Sequence, residues 1–243
     1  MDYFVHHHVH SFFSELDGLR SPEKIAQTVA DMGQPGISIT DHGSMAGIPS
    51  MYRAAKEHGL MFTPGIESYW AIDRTQKSPD LHGQKYYHLT LLAHSWEGYQ
   101  ALIQQQVEAW KTGFYYKPRI DAELLEQYPG DLTVLTGCLG SASSQAILRS
   151  IQRGMSDDEI INAAADAISV YTDILGKDRV MVEVHNHGIY QEELILPYQV
   201  KVAKKMGLPL IAANDTHYCA EEDADYHDYL LCSQTHSKVD DRH

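Results

Sequence analysis

Two pairs of potential metal ligands, one near each end of the sequence, share the same spacing. His8 and His10 are separated by one residue, and so are Asp215 and His217. Alternate side chains of a β-strand point to the same face, so each pair would present two ligand groups side by side, about 7 Å apart at the Cα atoms. Imidazole and carboxylate groups bind borderline divalent metals. The spacing therefore predicts that each pair can contribute to a metal site.

The histidines at the start of the chain also permit a simpler interpretation. His6, His7 and His8 are consecutive, as in a solvated cluster or the remnant of a purification tag. Residues 4–9 argue against a tag, because they are mostly β-branched, aromatic or apolar, as in a buried strand. On such a strand we expect His6 to share the face of His8 and to hydrogen-bond behind the ligands, and His7 to face the other way.

Other ligand-type residues follow further apolar segments. Asp17 lies just past the first segment, and the others lie where a segment ends: His42, Glu67 and Cys138. Each alone has another explanation, since such residues form turns, cap helices or pack as small apolar side chains. A ligand type at five of seven strand ends favours a shared metal centre, because the carboxyl ends of barrel strands meet at one face.

Three histidines fit this rule less well. His88 lies near the beginning of its apolar segment, so position alone ranks it no higher than His94. His185 and His187 follow the sixth segment, where capping of the next helix or hydrogen bonding explains them equally well.

Seven apolar segments typical of strands alternate with helical segments. The predicted strands are residues 4–9, 36–39, 61–67, 86–93, 131–136, 179–184 and 208–213. The main predicted helices are residues 44–58, 95–111, 140–153, 190–206 and 221–232, and another follows the capping box of Ser156 and Glu159. This alternation predicts an α/β fold with a parallel sheet, and seven units favour a closed barrel over an open doubly wound sheet. No glycine-rich GxGxxG segment follows a strand, which disfavours dinucleotide binding.

Composition narrows the class of protein. The 243 residues, 43% of them hydrophobic, suffice for one large domain with a substantial core. No apolar segment approaches the ~20 residues needed to span a membrane. Three scattered cysteines are too few for a disulfide framework, so we expect a cytoplasmic protein without a membrane partner. The net charge of −14 disfavours a free-standing nucleic-acid binder, unless bound metals or basic surface elsewhere in a larger protein offset it.

Several longer motifs resemble one family, the polymerase and histidinol phosphatase (PHP) domain, in the form found at the N-terminus of bacterial replicative DNA polymerase III alpha subunits. The first is the opening run from Phe4 to Ser11 with Leu16, Asp17 and Gly18. Others are the segments Thr-Asp-His-Gly at 40–43, Gly-Ile-Glu at 65–67, Thr-Gly-Cys-Leu-Gly at 136–140 and Asn-Asp-Thr-His-Tyr at 214–218. The segments Phe-Tyr-Tyr-Lys-Pro-Arg at 114–119 and Leu-Leu-Cys-Ser-Gln-Thr at 230–235 are typical of the polymerase branch.

The resemblance implies a distorted seven-stranded (βα)7 TIM-like barrel in which nine ligands hold three divalent metal ions. One ion would take His8, His10, Glu67 and Asp215; a second would take Glu67, His88 and Cys138; the third would take Asp17, His42 and His217. Zinc, manganese and iron all suit such ligands. The resemblance also predicts that residues 1–243 are a single PHP domain, the N-terminal part of a larger polymerase-like protein. The polymerase active site would lie outside these residues.

The implied activity is a metal-dependent phosphodiesterase, a 3′–5′ exonuclease acting on the single-stranded 3′ end of DNA within a replicase. Asp17, Glu67 and His10 would be catalytic, and Tyr116, Lys117 and Arg119 would guide the strand. The last three could equally belong to a packed surface loop. Two other functions stay open: a metal-stabilised domain that docks other replisome subunits without catalysis, and a free-standing small-molecule phosphatase, which the polymerase-type segments disfavour.

Overall fold

The computed structural model describes residues 4–242, which divide into two compact units. The first contains residues 4–66 and 215–242, and the second contains residues 67–214. The division falls inside one long strand, β2 (Met61–Trp70), whose first six residues belong to the first unit.

The first unit places the histidine-rich start of the chain between two other segments. Val9 accepts a hydrogen bond from the backbone of Thr40, just after β1 (Gly36–Ile39), and His10 donates to Thr216. All four residues of β1 are buried, and β1 pairs in parallel with the beginning of β2. The helices of this unit are α1 (Pro22–Asp31), α2 (Ile48–Glu57) and α8 (Ala224–Thr235). At the beginning of α1, the Ser21 hydroxyl accepts a hydrogen bond from the amide of Lys24, and proline occupies the first turn.

The second unit contains the other strands and five helices. The strands are β3 (Tyr87–Ala93), β4 (Arg119–Ile120), β5 (Leu132–Leu135), β6 (Val180–Val184) and β7 (Leu210–Ala212). The helices are α3 (Trp96–Thr112), α4 (Ala122–Gln127), α5 (Ala142–Gln152), α6 (Asp157–Leu175) and α7 (Tyr190–Met206). The capping box of Ser156 and Glu159 forms as predicted at the start of α6, and α7 accommodates Pro197 within it. Among the described residues, the strand order is β1-β2-β3-β5-β6-β7, with β4 attached to β2.

The α/β class with seven strands is confirmed, but two details of the sequence prediction are wrong. Residues 4–9 do not form a regular strand and pair only through isolated bridges, such as Val9 with Thr216. The seventh strand is instead β4, whose two residues are too few to produce a recognisable pattern. The sheet is also mixed, because β3 and β5 run antiparallel. A strand buried on both faces has the same apolar composition in either direction, so its sequence cannot reveal this reversal.

No helix among residues 4–242 is long and apolar enough to cross a membrane.

Candidate metal centre

Three imidazoles of the first unit surround the carboxylate of Asp215. Its Oδ1 atom lies 3.2 Å from His8 Nε2, 3.1 Å from His10 Nε2 and 3.8 Å from His217 Nδ1. His8 and His10 are buried. Asp215 adopts a positive φ of 44°, a left-handed conformation that aspartate tolerates better than most residues. The two predicted i, i+2 pairs therefore meet, although residues 4–9 form no regular strand.

The carboxylate of Asp17 lies at the centre of a second group in the same unit. Asp17 Oδ2 is 3.1 Å from His42 Nε2, and Oδ1 is 3.5 Å from His217 Nε2 and 3.6 Å from His227 Nε2. Burial acts to raise the pKa of Asp17, but the contacts with His227 and His42 and the charge of His217 outweigh it and hold the pKa well below its usual range. Asp17 is therefore an ionised carboxylate at neutral pH.

The two groups are adjacent. The His10 ring lies 4.1 Å from that of His42 and 4.3 Å from that of His217, measured between ring centroids. One nitrogen from each of these three residues lies within 4.8 Å of the others. His217 joins the two groups, because its Nδ1 lies 2.8 Å from the backbone carbonyl of Asp215 while its Nε2 faces the carboxylate of Asp17.

A buried hydrogen-bond chain holds His10 from behind. His10 Nδ1 lies 2.9 Å from the Ser14 hydroxyl, which in turn donates to Asp41 Oδ1 at 2.9 Å. Since that hydroxyl proton goes to Asp41, the Ser14 oxygen is free to accept the Nδ1 proton, and the lone pair of His10 is left on Nε2. Burial raises the pKa of Asp41 to about 6, in spite of hydrogen bonds from Ser11 and Ser14.

A tight turn carries Asp17 back towards His10. The backbone amides of Asp17 and Gly18 both donate to the carbonyl of Ser14. Leu16 takes a positive φ of 62° to make the turn. A Cβ atom on Gly18 would lie 1.9 Å from the carbonyl oxygen of Ser11, so only glycine fits at this position.

The third group belongs to the second unit and consists of Glu67, His88 and Cys138. Glu67 Oε1 lies 3.0 Å from His88 Nδ1 and 3.6 Å from the Cys138 sulfur, which is 3.5 Å from His88 Nδ1. The Glu67 carboxylate is 1% exposed. These are the three residues that the resemblance assigns to the second ion.

The antiparallel direction of β3 explains why the strand-end rule missed His88. β3 pairs with β5 in the register Thr90–Leu135, so the first residues of β3 lie beside the last residues of β5. Cys138 follows β5, and the His88 amide donates to the carbonyl of Gly140. His88 therefore reaches the correct end of the sheet because its strand runs the opposite way.

A second buried carboxylate fixes the backbone next to Cys138. Glu183, which is fully buried, accepts a hydrogen bond from the amide of Gly137 through Oε2 and lies 2.9 Å from His185 Nε2 through Oε1. Gly137 has a φ of 89°, a conformation that suits glycine. His187 pairs with Glu192 in the first turn of α7, at 2.8 Å between Nδ1 and Oε1. The hydrogen-bonding interpretation of His185 and His187 is thus confirmed.

The spacing of these donor atoms fits divalent metal ions. Nitrogen and oxygen ligands lie about 2.0–2.2 Å from a bound zinc ion, which leaves neighbouring ligand atoms roughly 3 Å apart. The nitrogen-to-oxygen distances of 3.1–3.2 Å around Asp215 and of 3.1–3.5 Å around Asp17 match that separation. The described clusters are therefore compatible with metal binding.

The candidate substrate-binding residues have different environments. Arg119 is 1% exposed, and four of its five N–H donors bind the backbone carbonyls of neighbouring loops. It stabilises those loops, which fits the alternative of a packed surface loop better than a contact of Arg119 with phosphate. Tyr116 and Lys117 are exposed, and the Lys85 amine lies 3.6 Å from the centre of the Tyr116 ring.

The Nδ1 atom of His6 does not make the hydrogen bond to the metal ligands that was predicted for this residue. Its Nδ1 atom is buried without a hydrogen-bond partner among the described residues, and its ring packs edge-on against Phe4 at 4.8 Å. His7 makes a hydrogen bond of 2.9 Å to the Ser38 hydroxyl.

His227, Ser14 and Glu183 are functional candidates that the sequence alone did not reveal. A histidine within a helix, a serine in a loop and a glutamate in a strand carry no local signal of such a role.

The PHP domain family model matches residues 6–187 of this chain. The DNA polymerase III subunit alpha of Treponema pallidum is 35% identical over 96% of the chain, and that of Thermus aquaticus is 34% identical over 98%. The chain spans 19% of the length of each of these relatives.

Among solved structures, a two-domain protein of Bacteroides vulgatus, described as containing a predicted PHP-like metal-dependent phosphoesterase, superposes with a TM-score of 0.53 at 14% identity. The match covers 93% of this chain and 55% of that protein. This similarity confirms the expected fold.

Proposed function

This chain belongs to the PHP domain family, and from that membership we propose that it is a metal-dependent phosphodiesterase that removes nucleotides from the 3′ end of single-stranded DNA. The observation that carries the proposal is the clustering of ligands. Two carboxylates of the first unit are each surrounded by imidazole nitrogens, and three further ligands cluster in the second unit. All nine expected positions hold a ligand-type residue.

We assign one ion to His8, His10 and Asp215, a second to Glu67, His88 and Cys138, and a third to Asp17, His42 and His217. Bound ions would lower the pKa of a water molecule and neutralise phosphate charge. Imidazole and thiolate suit zinc, whereas carboxylates also suit manganese or iron.

The side chains of the protein have separate tasks in this scheme. Ser14 and Asp41 hold His10 in one orientation and one tautomer, so its Nε2 stays directed at Asp215. Asp17 remains ionised and sets the charge of its group. Glu67, buried beside His88, supplies negative charge to the cluster that it forms with His88 and Cys138. Asp17, Glu67 and His10 are therefore the residues we propose as catalytic.

Aromatic side chains beside His88, together with the exposed Lys117, are the proposed path of the DNA strand. The ring of Tyr86 stacks at 6.2 Å on that of His88, and the Lys117 amine lies 5.4 Å from the ring centre of Tyr69, which also contacts His88. Aromatic rings stack with bases and lysines pair with phosphates, a combination suited to single-stranded DNA. Tyr116 and Lys117 stay proposed substrate-binding residues.

The relatives suggest a larger context. Because they are DNA polymerase III alpha subunits, we propose that the remaining polymerase domains or other replisome subunits are partners of this chain, and that the whole protein is a DNA-directed DNA polymerase. The cytoplasmic location and the single-domain organisation of residues 1–243 stay predictions.

A nuclease assay with metal-loaded protein tests the proposal. We expect manganese or zinc to support shortening of a single strand labelled at its 5′ end, by single nucleotides from the 3′ end. Asp17→Asn and His10→Ala should reduce the rate at least about 100-fold, since each removes a ligand. The matched controls are Asp31→Asn and His82→Ala, whose side chains are exposed.

Two outcomes would contradict the assignment. Intact DNA in the presence of fully metal-loaded protein would favour a docking domain without catalysis. Release of phosphate from a small monoester such as histidinol phosphate, with DNA untouched, would favour a phosphatase.

A further inference from the structure

We infer that His227, on α8, is an additional ligand of the metal ion that Asp17, His42 and His217 would hold. The inference rests on the proposed function, because it presupposes that ion. It changes the site from one carboxylate and two imidazoles to one carboxylate and three imidazoles.

The distances around Asp17 carry this inference. His227 Nε2 lies 3.6 Å from Asp17 Oδ1, and His217 Nε2 lies 3.5 Å from the same oxygen. The two imidazoles are thus equally placed about one carboxylate atom. A separation of 3.6 Å is too long for a hydrogen bond. It is close to the separation of roughly 3 Å expected for two ligands of one ion, which a bound ion would shorten slightly.

Apart from the Asp17 carboxylate, which it faces at 3.6 Å, this nitrogen of His227 has no hydrogen-bonding group within reach among the described residues. Its Nε2 atom is buried and has no hydrogen-bond partner among the described residues. The imidazole ring lies 5.6 Å from that of His217 and 5.3 Å from that of Tyr218. A buried imidazole nitrogen without a hydrogen bond is costly unless another partner compensates it, and a metal ion would do so.

α8 is anchored in a way that holds His227 near Asp17. Asp223, just before the helix, receives two hydrogen bonds from the Arg20 guanidinium and one from the amide of Cys219. His227 follows one turn later, and its side chain is only 14% exposed. The imidazole therefore does not depend on a mobile loop for its position.

The ligand set also has a chemical consequence. Three imidazoles with one carboxylate complete a four-coordinate site and favour zinc over manganese. The ion at Asp17 would then exchange less readily with manganese than an ion held by one carboxylate and two imidazoles.

Metal titration tests the inference without relying on activity. The metal-free protein comprising residues 1–243 is titrated with zinc against a chromophoric chelator, and bound zinc is counted by elemental analysis. Asp17→Asn is the reference and should lose one tightly bound ion. We expect His227→Ala to lower the affinity for that same ion more than about 100-fold, because the loss of a ligand weakens metal binding more than the loss of a supporting hydrogen bond. His236→Asn, which changes an exposed histidine at the end of α8, should bind like the unmodified chain.

His227→Gln separates ligation from positioning, and circular dichroism verifies that each variant is folded. Glutamine can donate a hydrogen bond to Asp17 but is a poor zinc ligand. We expect it to bind as weakly as His227→Ala. Zinc affinity within threefold of the unmodified chain, for either variant, would overturn the inference while leaving the proposed centre intact. If Asp17→Asn itself retained every ion, the proposed centre would fail, and the inference with it.

Discussion

Ser14 shows how much one hydroxyl can contribute at this site. It bridges His10 Nδ1 and Asp41, and it also accepts a hydrogen bond from the amide of His42. Two proposed ligands therefore depend on the position of one small side chain. Such supporting hydrogen bonds fix the tautomer of a ligand histidine and raise its basicity.

Replacement of Ser14 by alanine should weaken metal binding. Without the hydroxyl, His10 loses its supporting hydrogen bond and Asp41 loses a donor while it stays buried. We expect the affinity of the Asp215 group for zinc to fall about 10–100-fold, measured by chelator competition. Ser50→Ala, on α2, removes only an exposed hydrogen bond with Arg53 and is the matched control. Equal affinities for the two variants would contradict the proposed role of Ser14.

At the scale of elements, the turn between His10 and Gly18 and the direction of β3 both place ligands. The turn brings Asp17 beside His42 because Gly18 packs directly on the carbonyl of Ser11. β3 brings His88 to Cys138 because it runs antiparallel to β5. The strand-end rule, which assumes parallel strands, finds the ligands that follow parallel strands and fails at β3, which runs antiparallel to β5.

Gly18→Ala tests the turn. The added methyl group would overlap the Ser11 carbonyl, so the turn must open and move Asp17. We expect a loss of about 2–4 kcal/mol in the free energy of unfolding, measured with urea, together with loss of the ion at Asp17. Gly33→Ala is the comparison, because it has open space around it and pays only for its φ of +70°, at about 1 kcal/mol. A loss no larger than that of Gly33→Ala would show that the turn is more adaptable.

At the scale of the whole molecule, the first unit is built from both ends of the described chain. Residues 4–66 and 215–242 belong to it, so its stability depends on contacts between distant parts of the sequence. One such contact joins Arg20, ahead of α1, to the buried Asp223, ahead of α8. The hydrogen bond from Arg20 lowers the pKa of Asp223.

This pair predicts a pH-dependent stability. Because the pKa of Asp223 is lower in the folded state, its contribution is complete above the ordinary carboxyl pKa of about 4 and is lost as the pH falls through the folded-state value. At pH 7, Asp223→Asn should lower the free energy of unfolding by about 1.5–3 kcal/mol, the worth of a charged hydrogen bond. The difference in melting temperature from the unmodified chain should shrink as the pH falls below about 4.

The control for this experiment is Asp31→Asn at the exposed end of α1, which should leave the melting temperature unchanged at every pH. The difference in melting temperature between Asp223→Asn and the unmodified chain could instead stay constant from pH 7 to about 3. That result would show that the contact with Arg20 does not lower the pKa of Asp223 as inferred.

Residue types and spacings were sufficient to predict the α/β class and to single out most of the candidate ligands, because alternation, capping and ligand chemistry are local properties. The pair His8 and His10, the capping box of α6 and the bounds of α7 follow from neighbours in the sequence. Only the tertiary structure decided the direction of β3, the burial of Arg119 and the position of His227 beside Asp17. These depend on which distant segments pack together, and an arginine has the same sequence signature whether it binds phosphate or four backbone carbonyls.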